Sequence, residues 1–462
     1  MAIAIVAFLI LGLFIIATEK VNRMNKAAVA MFVGVLCWIL YLSNGALFVI
    51  NEHPVDFLSY ISNDNLSSTS VKEFIATSVF LKYIVSSAEI VLFLLGTMTI
   101  IEVLDNNGCF DFISEWLRTK SPQRYMWLLA GITFIISANL NNISTICMML
   151  SIMHTMISSH RLRMIYGAVI VIAANCGGAF TVIGDITSLS LWVNKLVTPT
   201  AYSTALILPT LGMLITSLFL ISRKLPSRLE MARMVLPYRG DDTILTRWQR
   251  LLLLFVGIGG LWFIPTFHRI TELPPFVGSL CVLSLLWIVN ELCNRSLLGS
   301  DQMVRKRMPI ALQYANIQNM LYFIGIILAL GAVKETGILE NLYAWIVTNL
   351  ENGYCIGILM GGLSAIFNNV TMVLSGISVF SDQHLVNNIS MLSTPNGYFW
   401  PLLSYTTAMG GTLLIIGTMG GFLLMRMEEV TLKWYIRHIS GKVLAGMLVG
   451  LLIFYLIQEF LF

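Results

Sequence analysis

The sequence predicts an all-α polytopic membrane protein made of two inverted-topology repeats, each with a re-entrant hairpin and a broken transmembrane helix. Three observations carry this: apolar runs long enough to cross a bilayer, motifs that recur at a near-constant offset, and opposite charge bias around the two copies. Of 462 residues, 57% are hydrophobic and 11% charged, against roughly 25% charged in soluble domains. Mean hydropathy is +0.81, so lipid is the expected solvent. The net charge of +4 is spread over short loops and gives no nucleic-acid patch.

Apolar runs fall at about 2–18, 27–43, 76–104, 124–157, 164–198, 202–222, 248–266, 275–292, 317–333, 353–380, 398–425 and 443–462. Several approach the roughly 20 residues that a spanning helix needs, and all exceed barrel strands of about ten. Backbone groups in lipid must be satisfied internally, so the spans are helices. The run 2–18 lacks a cleavage pattern before the polar stretch from Glu19 to Lys26. It reads as a first membrane helix. The seven cysteines include no CxxC pair and lie mostly in apolar runs. They read as small buried hydrophobes, without a disulfide framework or zinc site.

Three runs are interrupted by polar or glycine-rich sequence. Ser137-Ala138-Asn139-Leu140-Asn141-Asn142-Ile143-Ser144-Thr145 divides the fourth. Ser364-Ala365-Ile366-Phe367-Asn368-Asn369-Val370-Thr371 divides the tenth. The fifth carries Asn175-Cys176-Gly177-Gly178 and then Gly184-Asp185-Ile186-Thr187. Such backbone is tolerated at membrane depth only when buried in protein or lining a wet cavity.

The interruptions are paired. Residues 91–117 align without gaps to 320–346 at an offset of 229. The Ser-Ala-x-x-Asn-Asn motif recurs at an offset of 227, and Gly177-Gly178 with Ile183-Gly184 recurs as Gly410-Gly411 with Ile416-Gly417 at 233. The chain therefore divides into N-terminal scaffold helices (1–75), a first repeat (76–222), a cytoplasmic loop with linking helices (223–316) and a second repeat (317–462). Lys and Arg in short loops mark the cytoplasmic side. The loop 105–124 is basic and Arg161 and Arg163 follow the first Asn-Asn motif, whereas 334–351 is acidic and 381–397 holds no Lys or Arg. The two repeats thus face opposite ways, with the first hairpin entering from the cytoplasm and the second from outside. This layout puts all Lys and Arg on the cytoplasmic side except Lys72, Arg269 and Lys334, with Lys82 and Lys195 near helix ends. It places both termini outside.

A helix that stops inside the membrane exposes N–H groups on one half and carbonyls on the other. With hydroxyl and amide oxygens beside them, such ends can strip water from a cation. Inverted repeats whose discontinuous helices meet at the midplane are a general plan of secondary transporters. The two hairpin tips and two broken spans are expected to converge on one site. The candidate ion or substrate ligands are Ser137, Asn141, Asn142, Thr145, Asn175, Asp185, Thr187, Ser364, Asn368, Asn369, Thr371 and Thr412, with a sodium ion at Asn142, Asn369 and Asp185. A lone Asn-Asn would read as helix-packing glue; two at symmetric positions beside broken spans point to a site.

An acid at mid-bilayer costs about 2.5–3.5 kcal/mol on insertion scales, so it is expected to work. Five acids lie in or near apolar runs: Glu89, Glu102, Asp185, Glu291 and Glu459. Asp185 and Glu89 are the proton-carrier candidates, and the other three are placed at solvated ends. His154 reads as interfacial, and the aromatics as packing and interface anchors.

At these motifs the chain resembles the NhaD-type sodium/proton antiporters of the ion transporter superfamily. The matching stretches are Ala88-Glu89-Ile90 through Ile100, Ser137-Ala138 through Asn142, Gly177-Gly178-Ala179 through Thr187, and Gly410-Gly411-Thr412 through Gly417. The ending from Met427-Glu428 through Ser440 is also similar. The resemblance implies that family's scaffold and transport parts, a homodimer, and sodium or lithium exchanged for protons across an inner membrane. The family's hairpin tips usually read Asp-Asn, where this chain has Asn141-Asn142 and Asn368-Asn369, and a further family acid is replaced by Asn316. Asn cannot exchange a proton, though its oxygen can ligate a cation. Proton coupling then falls to Asp185 or Glu89.

Sodium/proton antiport through Asp185 is the leading expectation. The alternative is sodium-coupled transport of a small anion, which neutral tips repel less than an acid would; no Lys or Arg falls at the expected centre. A membrane enzyme would need a nucleophile–base pair or a metal cluster. The sequence has no HExxH or GxSxG and its six His are scattered, so neither catalysis nor a cofactor is expected.

Overall fold

The computed structural model describes residues 1–18, 24–61, 68–223, 225–226, 245–295, 317–350, 352–381 and 394–461. Asn316, Glu351 and Asp382 lie outside the described residues. Every regular element described is a helix. Eight helices are long and apolar enough to cross a membrane, among the described residues. Exposed Phe8, Phe32, Leu208, Phe219 and Leu452 give their surface the apolar face that lipid covers.

The chain opens with the apolar helix α1 (Ala2–Ala17), shorter than the candidate spans, and the span α2 (Lys26–Ser43). Short helices at Gly45–Glu52 and Pro54–Ile61 follow. The next span begins earlier than its apolar run suggests. A helix at Ser68–Phe74 passes through a π-turn at Ile75–Phe80 into α3 (Leu81–Asn106).

The first interrupted run is a hairpin of α4 (Pro122–Asn139) and α5 (Asn142–Met156). Leu140 breaks it with extended backbone, and Asn141 caps α5 by accepting from the Ile143 N–H at 3.0 Å. The second interrupted run is a broken span, α6 (His160–Ala179) and α7 (Ile186–Val193), followed by α8 (Pro199–Ser222). The linking helices are α9 (Gly260–Thr271), continuous with a helix at Arg247–Leu254, and α10 (Pro275–Cys293).

The second repeat repeats the order. It comprises α11 (Ile317–Lys334), the hairpin α12 (Gly353–Phe367) and α13 (Asn369–Phe380), the broken span α14 (Phe399–Gly411) and α15 (Met419–Met427), and α16 (Gly441–Leu461). At its tip Asn368 holds φ +76°, a strained backbone for a residue with a Cβ.

The helices gather into two groups. In one, α2 packs on α1 and α11, and α3 on α10 and α11. The Trp38 indole N–H donates to the Leu328 carbonyl at 2.9 Å across the α2–α11 contact. In the other group α6 packs on α4, α14 on α12, and α8 on α16. Gly177 of α6 meets the Phe134 backbone, and Gly410 of α14 meets the Gly361 backbone at the equivalent place. Neither position has room for a Cβ, so glycine sets how closely each broken span lies on its hairpin.

The cysteine expectation holds only in part. Cys37, Cys109 and Cys176 are buried, whereas Cys147, Cys281 and Cys355 are exposed and Cys293 is intermediate. Apolar sequence in a membrane protein faces lipid as readily as core, so hydropathy alone cannot separate the two.

Candidate ion site

The hairpin tips and broken spans meet through matched backbone bonds. The Asn142 N–H donates to the Gly184 carbonyl at 3.1 Å, and the Asn369 N–H to the Gly417 carbonyl at 3.3 Å. The Ser137 hydroxyl donates to the Ala174 carbonyl and the Ser364 hydroxyl to the Thr407 carbonyl, each at 2.7 Å. Each broken span also has a tyrosine at its stopped end. Tyr202 donates to the Ala179 carbonyl at 2.7 Å and Tyr435 to the Thr412 carbonyl at 3.0 Å. These tyrosines stand at the same offset of 233 as the glycine motifs. That offset was the signal that could have found them.

Against this symmetric frame the polar side chains are unequal. Asp185 is the N-cap of α7, and one carboxylate oxygen accepts from the Ile186 N–H at 2.8 Å. The other accepts from the Thr187 hydroxyl at 2.8 Å and from the Asn369 amide at 3.2 Å. The second hairpin therefore reaches the broken span of the first repeat. Thr418, equivalent to Asp185, caps α15 by accepting from the Gly421 N–H. The second copy thus keeps the cap without the charge.

The Asn142 amide donates to the Asn175 oxygen at 2.5 Å. The equivalent of Asn175 is Ala408, so this amide pair also belongs to one half alone. The Asn142 oxygen, the Thr145 hydroxyl and the Asn175 amide nitrogen are buried with no hydrogen-bond partner. Buried polar atoms left open cost about 1–3 kcal/mol each, so this is where a guest would find ligands. Asn141 and Asn368 spend their side-chain oxygens capping α5 and α13.

Of the other predicted ligands, Thr187 and Asn369 are the ones whose side chains bond the Asp185 carboxylate among the described contacts, and Thr371 and Thr412 turn elsewhere. Thr371 lies two residues beyond Asn369, about 200° around its helix, and its hydroxyl bonds that of Tyr322 on α11 at 2.8 Å. The Thr412 hydroxyl donates to the Met409 carbonyl of its own helix end at 2.6 Å. Glu89 stands part-exposed on α3, where Lys195 is the charge that acts on it. Glu291 and Glu459 are exposed and Glu102 part-exposed.

Two buried acids escaped the sequence reading. Glu428 is 1% exposed. Its carboxylate meets the Arg163 Nε at 2.8 Å and the His154 Nδ1 at 2.7 Å, and its carbonyl meets the His160 Nε2 at 3.1 Å. His154 is thus a partner joining hairpin, broken span and Glu428. Glu335, just past α11, meets the His53 Nε2 and the Tyr83 hydroxyl, each at 2.6 Å.

Residues 11–298 match the family described as a citrate transporter (CitMHS). The chain is 31% identical over 380 residues to "Sodium/proton antiporter 2" of Arabidopsis thaliana, covering 81% of this chain and 86% of that protein. It is 31% identical to "Sodium/proton antiporter 1" of the same plant, of whose length it spans 61%. It is 26% identical over 453 residues to "Na(+)/H(+) antiporter NhaD" of Alkalimonas amylolytica, covering 91% and 84%. The fold is similar to that of the Alcanivorax borkumensis YdaH transporter, with a TM-score of 0.60, 13% identity, and 93% and 98% of the two chains covered.

Proposed function

The chain belongs to the citrate transporter (CitMHS) family of multi-pass membrane proteins, and from that premise we propose that it exchanges sodium or lithium for protons. The observation that carries this is the Asp185 carboxylate, 6% exposed at a half-helix N-terminus and bonded to the opposite hairpin tip. A carboxylate held there can accept either a cation or a proton, and competition between them is antiport. Thr187 brings its hydroxyl oxygen to Asp185, and the open Asn142 and Thr145 oxygens add neutral ligands. Asn369 holds the carboxylate through its amide N–H while its own oxygen accepts from the Val370 N–H. The relatives named as sodium/proton antiporters support the same reading. We place the protein in an inner membrane as a homodimer with both termini outside.

Sodium affinity measured across pH tests the proposal. Affinity falls as the medium is acidified, because a proton takes the carboxylate; affinity independent of pH contradicts exchange at Asp185.

Sodium-coupled transport of a small organic anion has one observation in its favour. The Asn175 amide nitrogen and the Thr145 hydroxyl are buried donors without partners, as a carboxylate guest would require. Sodium-dependent uptake of a labelled dicarboxylate distinguishes the two readings.

A further inference from the structure

We propose that Tyr322 is a positioning residue that latches the second hairpin to the α2–α11 pair and sets the rate of the transport cycle. The inference rests on the exchange reading.

Tyr322 is fully buried on α11, and so is Thr371 on α13. Their hydroxyls lie 2.8 Å apart. One hydroxyl pair thus ties the hairpin whose tip holds Asp185 to a helix of the other packing group. A second contact locks the ring. The Lys26 ammonium, from the first turn of α2, lies over the Tyr322 ring at 5.7 Å and over the Phe422 ring of α15 at 5.7 Å. It also meets the sulfur of Met419, the first residue of α15. A cation at a helix N-terminus opposes the helix dipole, and the two rings offset that cost by cation–π attraction. Lys26 and Tyr322 therefore join α2 and α11 to two elements of the second repeat, its hairpin and its broken span.

The latch belongs to one repeat only. The equivalent of Tyr322 is Phe93, which has no hydroxyl, and the equivalent of Thr371 is Ser144. Alternating access in inverted-repeat transporters comes from one bundle rocking against another around the site. A bond across that boundary stabilises one arrangement and must break on leaving it. Tyr322 does not touch Asp185 or Asn369 in any hydrogen bond described, so the bond weights the rate of rearrangement and leaves ion affinity alone.

The experiment is sodium-driven proton movement in proteoliposomes carrying the full chain, with kcat and sodium KM measured for native, Tyr322→Phe, Thr371→Val and the double variant. The expected result for Tyr322→Phe is a rise in kcat of about fivefold, the loss of one neutral hydrogen bond, with KM unchanged. Thr371→Val gives the same rise, and the double variant goes no further because the two share one bond. Lys26→Met reads the contact from its other side and raises kcat in the same direction, which keeps the test open where Tyr322→Phe does not fold. Unchanged kcat, or a change in KM at constant kcat, in variants that fold overturns the latch. No exchange in the native chain overturns the antiport reading and takes the latch with it.

Discussion

Asn369 donates its amide to Asp185 across 3.2 Å, joining the tip of the second hairpin to the cap of the broken helix in the first repeat. Two halves of the chain, 184 residues apart in sequence, thereby share one charged group. Replacing Asn369 by Ala removes an amide bonded to a carboxylate, and the sodium KM rises about tenfold. Concentration dependence of exchange checks this; an unchanged KM places Asn369 outside the ion site.

Among the described site residues Asp185 is the one acid, and Thr418 holds the equivalent cap. A site with one carboxylate balances one cation charge whichever ion fills it. Exchange is then one sodium for one proton and electroneutral. A potential imposed with potassium and valinomycin leaves the initial rate unchanged, and Thr418→Asp introduces a dependence on that potential. A native rate that follows the potential contradicts single-acid coupling.

The Glu428 carboxylate is buried against Arg163 and His154. Arg163→Ala leaves it without its permanent cation, and removing one partner of a buried pair costs about 3 kcal/mol. A fall in thermal midpoint that is absent in Arg161→Ala checks the assignment, since Arg161 stands exposed at the same helix start.

His53 and Glu335 line a cavity of about 380 Å3 that Ser78, Val79 and Lys82 also line. The bond to Glu335 lifts His53 above its ordinary 6.5, against burial. Burial pushes Glu335 up, but the bonds from His53 and Tyr83 outweigh it and hold the carboxyl below its ordinary 4.5. The His53 contribution is full below pH 6.5 and lost as pH rises through its raised value. The Glu335 contribution is full above pH 4.5 and lost as pH falls through its lowered value. The thermal deficit of His53→Gln is therefore greatest between pH 4.5 and 6.5 and shrinks on either side. A deficit that grows with pH above neutrality contradicts this pairing.

The fold was legible because repetition is a sequence property. The Asn-Asn and Gly-Gly motifs fixed both hairpins and both broken spans, and hydropathy fixed most remaining helices. The same offset relates Tyr202 to Tyr435, but a tyrosine pair in apolar sequence carries no polar interruption to mark it. Glu335 and Glu428 were illegible because each follows the end of an apolar helix, where an acid is ordinarily solvated. Only packing brings His53, Tyr83, His154 and Arg163 onto them. Thr371, expected among the ligands, stands two residues from Asn369 on a helix, where side chains face opposite ways, and it turns to Tyr322.

The most direct test of the central claim is sodium-gradient-driven proton movement in proteoliposomes, native chain against Asp185→Asn. The account predicts exchange in the native chain and its loss in the variant, which keeps a polar side chain of the same shape but holds no proton. Proton movement that persists in Asp185→Asn, or is absent from the native chain, contradicts antiport through Asp185.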